Sequence, residues 1–292
     1  MFEIIQFLFM PFLACLTMIG IFGYFGTHVL ERKIVFIDIA LAQIVAVGSA
    51  VAFIIWNVEA NNIIAYLCAF GFTLLAAIFY SFTNKRITQI PQEAIMGASY
   101  AIAAAGALFL LAMATGGNVH LEDMLTGSIL WANWTDVITC VVVFGVVGLF
   151  HIVFRKNFKK ISQSYQGALN EGLKAPIWDF LFYVSLGIVI TYSIRIAGVL
   201  VVFSFLIIPA TFSALFTKSW KKRLVCAWLV GTIASILGLT FSYFFDFSSG
   251  PSIVSFLGLA LIVAAIFKKL RKRRPFVLLY KRNIGDVQYS KY

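Results

Sequence analysis

Charged residues are scarce in this chain of 292 residues. Asp, Glu, Lys and Arg make up only 12% of it, and hydrophobic residues make up 61%, whereas soluble domains carry about 25% charged and about 45–50% apolar residues. A soluble fold has no interior large enough for this much apolar surface, so lipid is the solvent for most of the chain. The apolar runs are continuous rather than alternating, which argues against a β-barrel. We therefore predict an all-α polytopic membrane protein.

Cysteines and motifs for covalent chemistry are also sparse. The four cysteines are isolated, with no Cys-x-x-Cys or Cys/His spacing, so we expect neither a disulfide framework nor a zinc cage. No Walker A, Gly-x-Ser-x-Gly or His-Glu-x-x-His motif occurs. The chain is therefore not expected to be an enzyme or to bind a cofactor tightly, and any ATP hydrolysis would take place on another subunit.

Apolar segments of about 20 residues, long enough to span a bilayer, recur along the whole chain. They lie near residues 4–28, 34–56, 62–82, 95–114, 135–154, 179–194, 197–216, 224–245 and 251–267. The sixth and seventh are separated only by Arg195 and its neighbours, so the predicted count is eight or nine. No soluble domain interrupts them, which predicts one transmembrane domain over residues 1–270 and a basic cytoplasmic tail over 271–292.

Positive charge is distributed unevenly between the loops. The net charge of +11 is concentrated in alternate short connections and in the tail. This is the pattern of topology signals and contacts with the lipid bilayer, and no nucleic-acid binding is expected. With nine spans, it places the N-terminus outside and the C-terminus in the cytoplasm. Arg195 is the exception, a lone cation on an outer turn.

The second apolar segment carries two polar side chains into lipid depth. It opens with Arg32 and Lys33 and then includes Asp38 and Gln43. A carboxylate at the middle of a spanning helix costs about 2.5–3.5 kcal/mol, and less near its end, so such residues usually face a protein interior or a water-filled path. Asp38 therefore either lies on such a path or pairs with a neighbouring helix, with Arg32 or Lys33 as candidate partners.

The longest predicted cytoplasmic connection is the segment 155–177. From Ser164 to Glu171 it can form a short helix that ends at Gly172 in the C′ position. Two interpretations are open for this segment. It either transmits motion from a cytoplasmic partner or is a basic loop that lies on lipid headgroups.

A predicted outer loop contains His120, Glu122 and Asp123. An imidazole close to two carboxylates could bind a metal ion. A solvated loop with an interfacial Trp is the more common explanation for such a stretch.

Five stretches, in this order and at these intervals, resemble the permease subunits of the zinc/manganese/iron ABC importers, the ABC-3 family. They are residues 32–48, 90–97, 125–130, 197–210 and 249–254. The resemblance extends from about residue 11 to residue 267.

This resemblance implies an importer permease fold and a pore built from two permease copies, as a homodimer or a heterodimer. It implies an extracytoplasmic metal-binding protein, two cytoplasmic ABC ATPase subunits and the plasma (inner) membrane of a bacterium. The cargo would be a divalent metal ion (zinc, manganese or iron) or a metal chelate, with ATP used by the partner ATPase. The alternatives are an ion-coupled secondary transporter, which usually carries several intramembrane ionisable residues, and a structural membrane subunit.

The same resemblance assigns contact with the ATPase to the segment 155–177. This segment looks like the coupling helix region of the family, which favours transmission of motion over the lipid-bound loop. The residues expected to take part are Ser164, Gln166, Ala168, Glu171 and Gly172.

This sequence departs from the family at the metal site. The second helix of the family usually reads Gly-Asp-Ala-Leu-Ala-His. When this motif is aligned on Ala40-Leu41-Ala42 and Gly48, its carboxylate position is Ile39 here and its histidine position is Gln43. Asp38 replaces the glycine. At about 100° per residue, Asp38 and Gln43 lie about 140° apart, so they cannot bind one ion from one regular helix. An amide is also a weak ligand where imidazole suits zinc. Both remain candidates for the translocation path, with Asp38 either part of an acidic ring in the pore or a structural pair.

Overall fold

The computed structural model describes residues 2–58, 62–86, 89–113 and 129–285, and every regular element in these ranges is a helix. The α-helices are α1 (Phe2–Arg32), α2 (Ile37–Trp56), α3 (Ile63–Arg86), α4 (Gln92–Ala112), α5 (Trp134–Val153), α6 (Arg155–Gln163), α7 (Tyr165–Asn170), α8 (Ala175–Phe216), α9 (Trp220–Phe245) and α10 (Ser249–Gly285). A short 3-10 turn covers Ile129–Trp131. Eight of the described helices are long and apolar enough to cross a membrane, which confirms the predicted polytopic fold.

Helix α8 is about twice as long as a span needs to be. It runs for 42 residues and contains one non-helical residue, Gly198, with φ 77° and ψ 162°, a combination essentially restricted to glycine. The Phe182 ring lies 5.4 Å from the Phe25 ring of α1, and a Cβ on Gly26 would overlap the carbonyl oxygen of Leu206. In a straight helix, residues 182 and 206 would be about 36 Å apart. Both contact the same turn of α1, so the chain reverses at Gly198.

The reversal divides α8 into the halves 175–197 and 199–216. Each half is long enough to cross a membrane at 1.5 Å per residue. The eight long helices of the described ranges therefore supply nine crossings, the higher of the two predicted counts. Helix α10 continues through residue 270, so the predicted boundary between domain and tail falls inside a helix.

Helices α1 and α2 organise the packing. Helix α1 contacts α5, α6, α8 and α9, whereas α2 contacts α3, α4 and α8. Close helix approach depends on small residues, since a Cβ on Gly48 of α2 would lie 2.6 Å from the Cα of Ala69 in α3. The last turn of α1 reaches the end of the bundle where α6 and α7 lie, hereafter the α6–α7 end.

Candidate functional site

Asp38 lies in the first turn of α2 and is enclosed by the protein. It is 1% exposed, and neither carboxylate oxygen has a hydrogen-bond partner among the described residues. Arg32 instead binds Asp179, and Lys33 is exposed. The hypothesis that Asp38 pairs with Arg32 or Lys33 is therefore wrong. Because this burial occurs within a single chain, the carboxylate does not face an open surface of the protomer.

Gln43 is half-buried on the same unbroken helix. Since α2 is continuous, the angle between Asp38 and Gln43 is that of a regular helix, and the two side chains do not converge. Within the described ranges, no group of three or more His, Cys, Asp or Glu side chains is arranged to hold a metal ion. A role of these two residues in a translocation path stays a prediction.

The three predicted metal ligands of the outer loop precede the 3-10 turn. His120, Glu122 and Asp123 lie outside the described residues. Their role also stays a prediction.

The predicted short helix forms as α7, and its first turn is capped by a side chain. It covers Tyr165–Asn170, so both ends agree within one residue with the predicted range. Ser164 is the N-cap, and its hydroxyl accepts a hydrogen bond of 3.0 Å from the backbone N–H of Gly167. This bond satisfies one of the N–H groups that the first turn of a helix leaves without an internal partner.

The other end of α7 closes in a Schellman motif around Gly172, which has a φ of 79°. The Gly172 N–H donates to the carbonyl of Leu169 at 2.9 Å, and the Leu173 N–H donates to the carbonyl of Ala168 at 3.0 Å. This pair of bonds defines the motif, and glycine is the residue that adopts its left-handed position without strain. The prediction that Gly172 ends the helix is confirmed.

The predicted coupling residues differ in exposure. Four of them are exposed: Ser164, Gln166, Glu171 and Gly172. Ala168 is only 2% exposed and packs in a small core with Ile161 of α6 and Ala175 of α8. Ala168 therefore holds α7 against its neighbours and is not available for contact with another subunit.

Helix α6 is fastened to α1 through Ser162. The Ser162 hydroxyl donates to the Phe158 carbonyl at 2.9 Å and accepts from Nε of Arg32 at 2.8 Å. It also lies 2.7 Å from Nδ1 of His28. The ring nitrogen donates in this bond when Nδ1 carries the proton of the imidazole. One buried hydroxyl thus joins two side chains of α1 to α6.

The same arginine binds α8. Nη1 of Arg32 donates to Oδ1 of Asp179 at 2.6 Å, and the two side chains are only 6% and 1% exposed. The Arg32 guanidinium carbon also lies 3.9 Å from the centroid of the Phe182 ring. A buried ion pair of this kind depends on both partners, because loss of one leaves the other charge uncompensated.

Two further contacts tie α1 to the helices around it. His151, near the end of α5, lies 2.8 Å through Nε2 from the hydroxyl of Ser185 and 3.3 Å through Nδ1 from that of Tyr24. Glu31 forms an ion pair with Arg223 of α9. The last three turns of α1 are therefore bonded to α5, α6, α8 and α9.

A cavity of about 160 Å³ borders this cluster. Its lining includes Arg32, Asp179, Tyr165, Tyr183 and Gln92. Burial, and to a lesser extent the Asp179 carboxylate, raises the pKa of Tyr165 to about 12, so its hydroxyl is neutral at physiological pH. Within the described residues, Nη2 of Arg32 and the hydroxyl of Tyr165 have no hydrogen-bond partner.

The sequence interpretation missed the residues of this cluster. Asp179 carries the same signal as Asp38, a carboxylate at the start of an apolar segment. His28 and Ser162 show no local pattern that would separate them from ordinary polar residues. Only the fold reveals that these side chains converge on Arg32.

The opposite end of the bundle contains a cavity of about 340 Å³ beside Arg195. The Arg195 guanidinium carbon lies 3.7 Å from the centroid of the Tyr66 ring, and Tyr66 stacks on Tyr192 at 5.2 Å. Asp136, which also lines the cavity, belongs to the capping box of α5. Arg195, the one cation predicted on an outer turn, therefore lies just before the reversal of α8 and packs against the Tyr66 ring.

The chain is similar to known membrane proteins over most of its length. The model of the ABC 3 transport family matches residues 4–268. The manganese transport system membrane protein MntC of Listeria monocytogenes is 24% identical over 251 residues, which cover 84% of this chain and 85% of that protein. The high-affinity zinc uptake system membrane protein ZnuB of Haemophilus influenzae is 25% identical over 271 residues, which cover 93% of this chain and 100% of that protein.

The fold is also found among solved structures. A chain of PsaBC from Streptococcus pneumoniae, solved in complex with Fab, matches with a TM-score of 0.75 and 24% identity. The match covers 90% of this chain and 93% of the solved one. It establishes the shared helical fold independently of the sequence motifs.

Proposed function

Because the chain belongs to the ABC 3 transport family, we propose that it is the transmembrane permease subunit of an ATP-binding cassette importer. Its cargo is a divalent metal ion (zinc, manganese or iron) or a chelate of such an ion. The observation that carries the proposal is the family match over residues 4–268. The manganese and zinc systems named among its relatives support the choice of cargo.

The permease leaves ATP hydrolysis to other subunits. Its sequence has no Walker A motif, so two cytoplasmic ABC ATPase subunits supply the energy. A metal-binding protein outside the membrane delivers the cargo, and a second permease copy, identical or different, completes the pore. The site of action is the inner membrane of a bacterium.

The α6–α7 end faces the cytoplasm and docks the ATPase through α7. Exposed cations near this end follow the positive-inside rule, and they include Arg155, Lys156, Lys159 and Lys160. With nine crossings, the N-terminus then lies outside. The exposed side chains of Gln166 and Glu171 are the proposed contacts, while Ser164 and Gly172 set the two ends of the helix.

Asp38 and Gln43 belong to the translocation path in a conformation other than this one. The support for Asp38 is its unpartnered carboxylate, which is costly to enclose in a protein interior. A path need not bind the ion tightly, since the capture protein selects the cargo and tight binding would slow its release. The acidic side chain then attracts a cation in transit.

The test is transport by a reconstituted complex. The permease, its ATPase subunit and the loaded binding protein are placed in liposomes, and uptake of Mn²⁺ and Zn²⁺ is measured with and without ATP. We expect uptake only with ATP and only when the ATPase is present. ATP-independent uptake by the permease alone, abolished by an uncoupler, would instead identify a secondary transporter.

A further inference from the structure

We infer that Arg32, Ser162 and Asp179 are positioning residues that carry movement of the α6–α7 segment, residues 155–170, to α1 and α8. We call these three side chains the Arg32 bridge. The inference rests on the proposed function, because it assumes that an ATPase moves α7. It assigns to the bridge the step between that movement and the spanning helices α1 and α8.

The bridge is the polar connection between the segment and α1. Within the described residues, the side-chain hydrogen bonds that join α6 to α1 end on the Ser162 hydroxyl, from Arg32 and from His28. The ion pair Lys160–Glu171 stays within the segment and is exposed. A displacement of α6 therefore acts on polar groups of α1 through Ser162.

The guanidinium of Arg32 connects both spanning helices to that hydroxyl. Its Nε reaches Ser162 at 2.8 Å, and its Nη1 reaches Asp179 at 2.6 Å. These nitrogens belong to one rigid plane, so the two bonds have a fixed relative geometry. Burial strengthens both bonds because water does not compete for them. Movement of Ser162 is thus transmitted to α8 as well as to α1.

The surroundings leave room for a second position of the segment. The cavity of about 160 Å³ adjoins the bridge and is bordered by Tyr165 of α7 and Gln92 of α4. The Tyr165 hydroxyl and Nη2 of Arg32 have no hydrogen-bond partner among the described residues. Both are donors that can form new bonds when α7 moves toward α4. Without this cavity, close packing of side chains would oppose the movement of α7 toward α4.

The experiment compares transport with hydrolysis in the complete complex. The permease is reconstituted in liposomes with its ATPase and the manganese-loaded binding protein, and Mn²⁺ ions taken up per ATP hydrolysed are measured. Ser162→Ala removes the acceptor of the bridge. Arg32→Lys keeps the charge opposite Asp179 but has no Nε–H for Ser162. We expect each variant to lower ions per ATP about tenfold. The double variant should be no worse than Ser162→Ala, because Ser162→Ala already breaks the bonds from both Arg32 and His28, whereas Arg32→Lys breaks only the first.

Two controls separate transmission from stability. Glu31→Gln breaks the neighbouring ion pair of α1, with Arg223 of α9, and leaves the bonds of Ser162 to Arg32 and His28 in place. It should keep the wild-type number of ions per ATP. Ser162→Thr retains the hydroxyl and should also keep it. Only complexes that assemble with a full complement of ATPase are compared.

Three results would overturn the inference. They are wild-type coupling in Ser162→Ala, an equal loss in Glu31→Gln, or a loss in Ser162→Thr at full assembly. A wild-type complex that shows no ATP-dependent uptake would remove the proposed function, and the bridge along with it.

Discussion

Arg32 and Asp179 are 147 residues apart in the sequence, yet they form a buried ion pair of 2.6 Å between the last turn of α1 and the first turns of α8. The pair joins the first spanning helix to the helix that reverses at Gly198. Both charges lie in a region of low dielectric constant, where each compensates the other. Removal of one charge should therefore cost far more than removal of an exposed charge.

Asp179→Asn should destabilise the permease by about 3 kcal/mol, because it leaves the buried Arg32 charge without its counterion. The measurement is the unfolding midpoint of the purified permease in detergent. Glu31→Gln is the matched control, since its pair with Arg223 is more exposed and should be worth at most about 1 kcal/mol. Equal midpoints for both variants would contradict the assignment.

Ser164→Ala should weaken α7 by about 1 kcal/mol, because the first turn loses its side-chain cap. Protease cleavage within the 155–177 segment should become faster, and the ATPase should bind more weakly. Ser219→Ala is the control, since Ser219 is the N-cap of α9 but makes no side-chain cap bond. Indistinguishable cleavage in the two variants would show that the cap does not stabilise α7.

Gly198→Ala should disrupt the reversal of α8. A residue with a Cβ pays about 1–3 kcal/mol to adopt this backbone conformation, and the two halves of α8 would lose their alignment on α1. We expect a large drop in the yield of monodisperse protein. Gly20→Ala in α1 should be tolerated, because a Cβ there meets no other atom within 4 Å and alanine favours a helix. A normal yield of Gly198→Ala would count against the reversal.

Asp38→Asn should leave the permease at least as stable as the wild type, because it removes an enclosed charge that has no hydrogen-bond partner among the described residues. Uptake of Mn²⁺ and Zn²⁺ should nevertheless fall by about tenfold, if a cation in transit gains a typical charged interaction there. Gln43→His belongs in the same assay, and it should not raise uptake because Ile39 still occupies the family's carboxylate position. Normal transport by Asp38→Asn would show that its carboxylate has no role in the path.

The number of crossings could be predicted from the sequence only to within one. The apolar stretch from 179 to 216 is nearly continuous, and hydropathy does not distinguish one long helix from two antiparallel halves. The decisive features are the φ of Gly198 and the contacts of Phe182 and Leu206 with one turn of α1. The two contacts join residues far apart in the chain, so local sequence does not encode them.

The ends of α7 and the Arg32 bridge also differ in how far local sequence predicts them. The ends of α7 were predictable because Ser164 and Gly172 act through bonds to their own neighbours in the chain. The Arg32 bridge was not, since Ser162 and Asp179 lie 130 and 147 residues beyond their common partner. From the sequence alone, Asp38 is as good a partner for Arg32 as Asp179 is. Only the packing of α1 against α8 selects Asp179.

The bonds at the end of α1 impose an order on its assembly during synthesis. Helix α1 is made before its partner helices: Asp179 follows Arg32 by 147 residues, and Arg223 follows Glu31 by 192 residues. Until then, these charged ends are solvated by water and lipid headgroups. Helix α1 is therefore made before α8 and α9 but reaches its final position only after them. Nascent chains arrested before residue 179 should be cleaved by trypsin at Arg32, whereas chains that include α9 should be protected there.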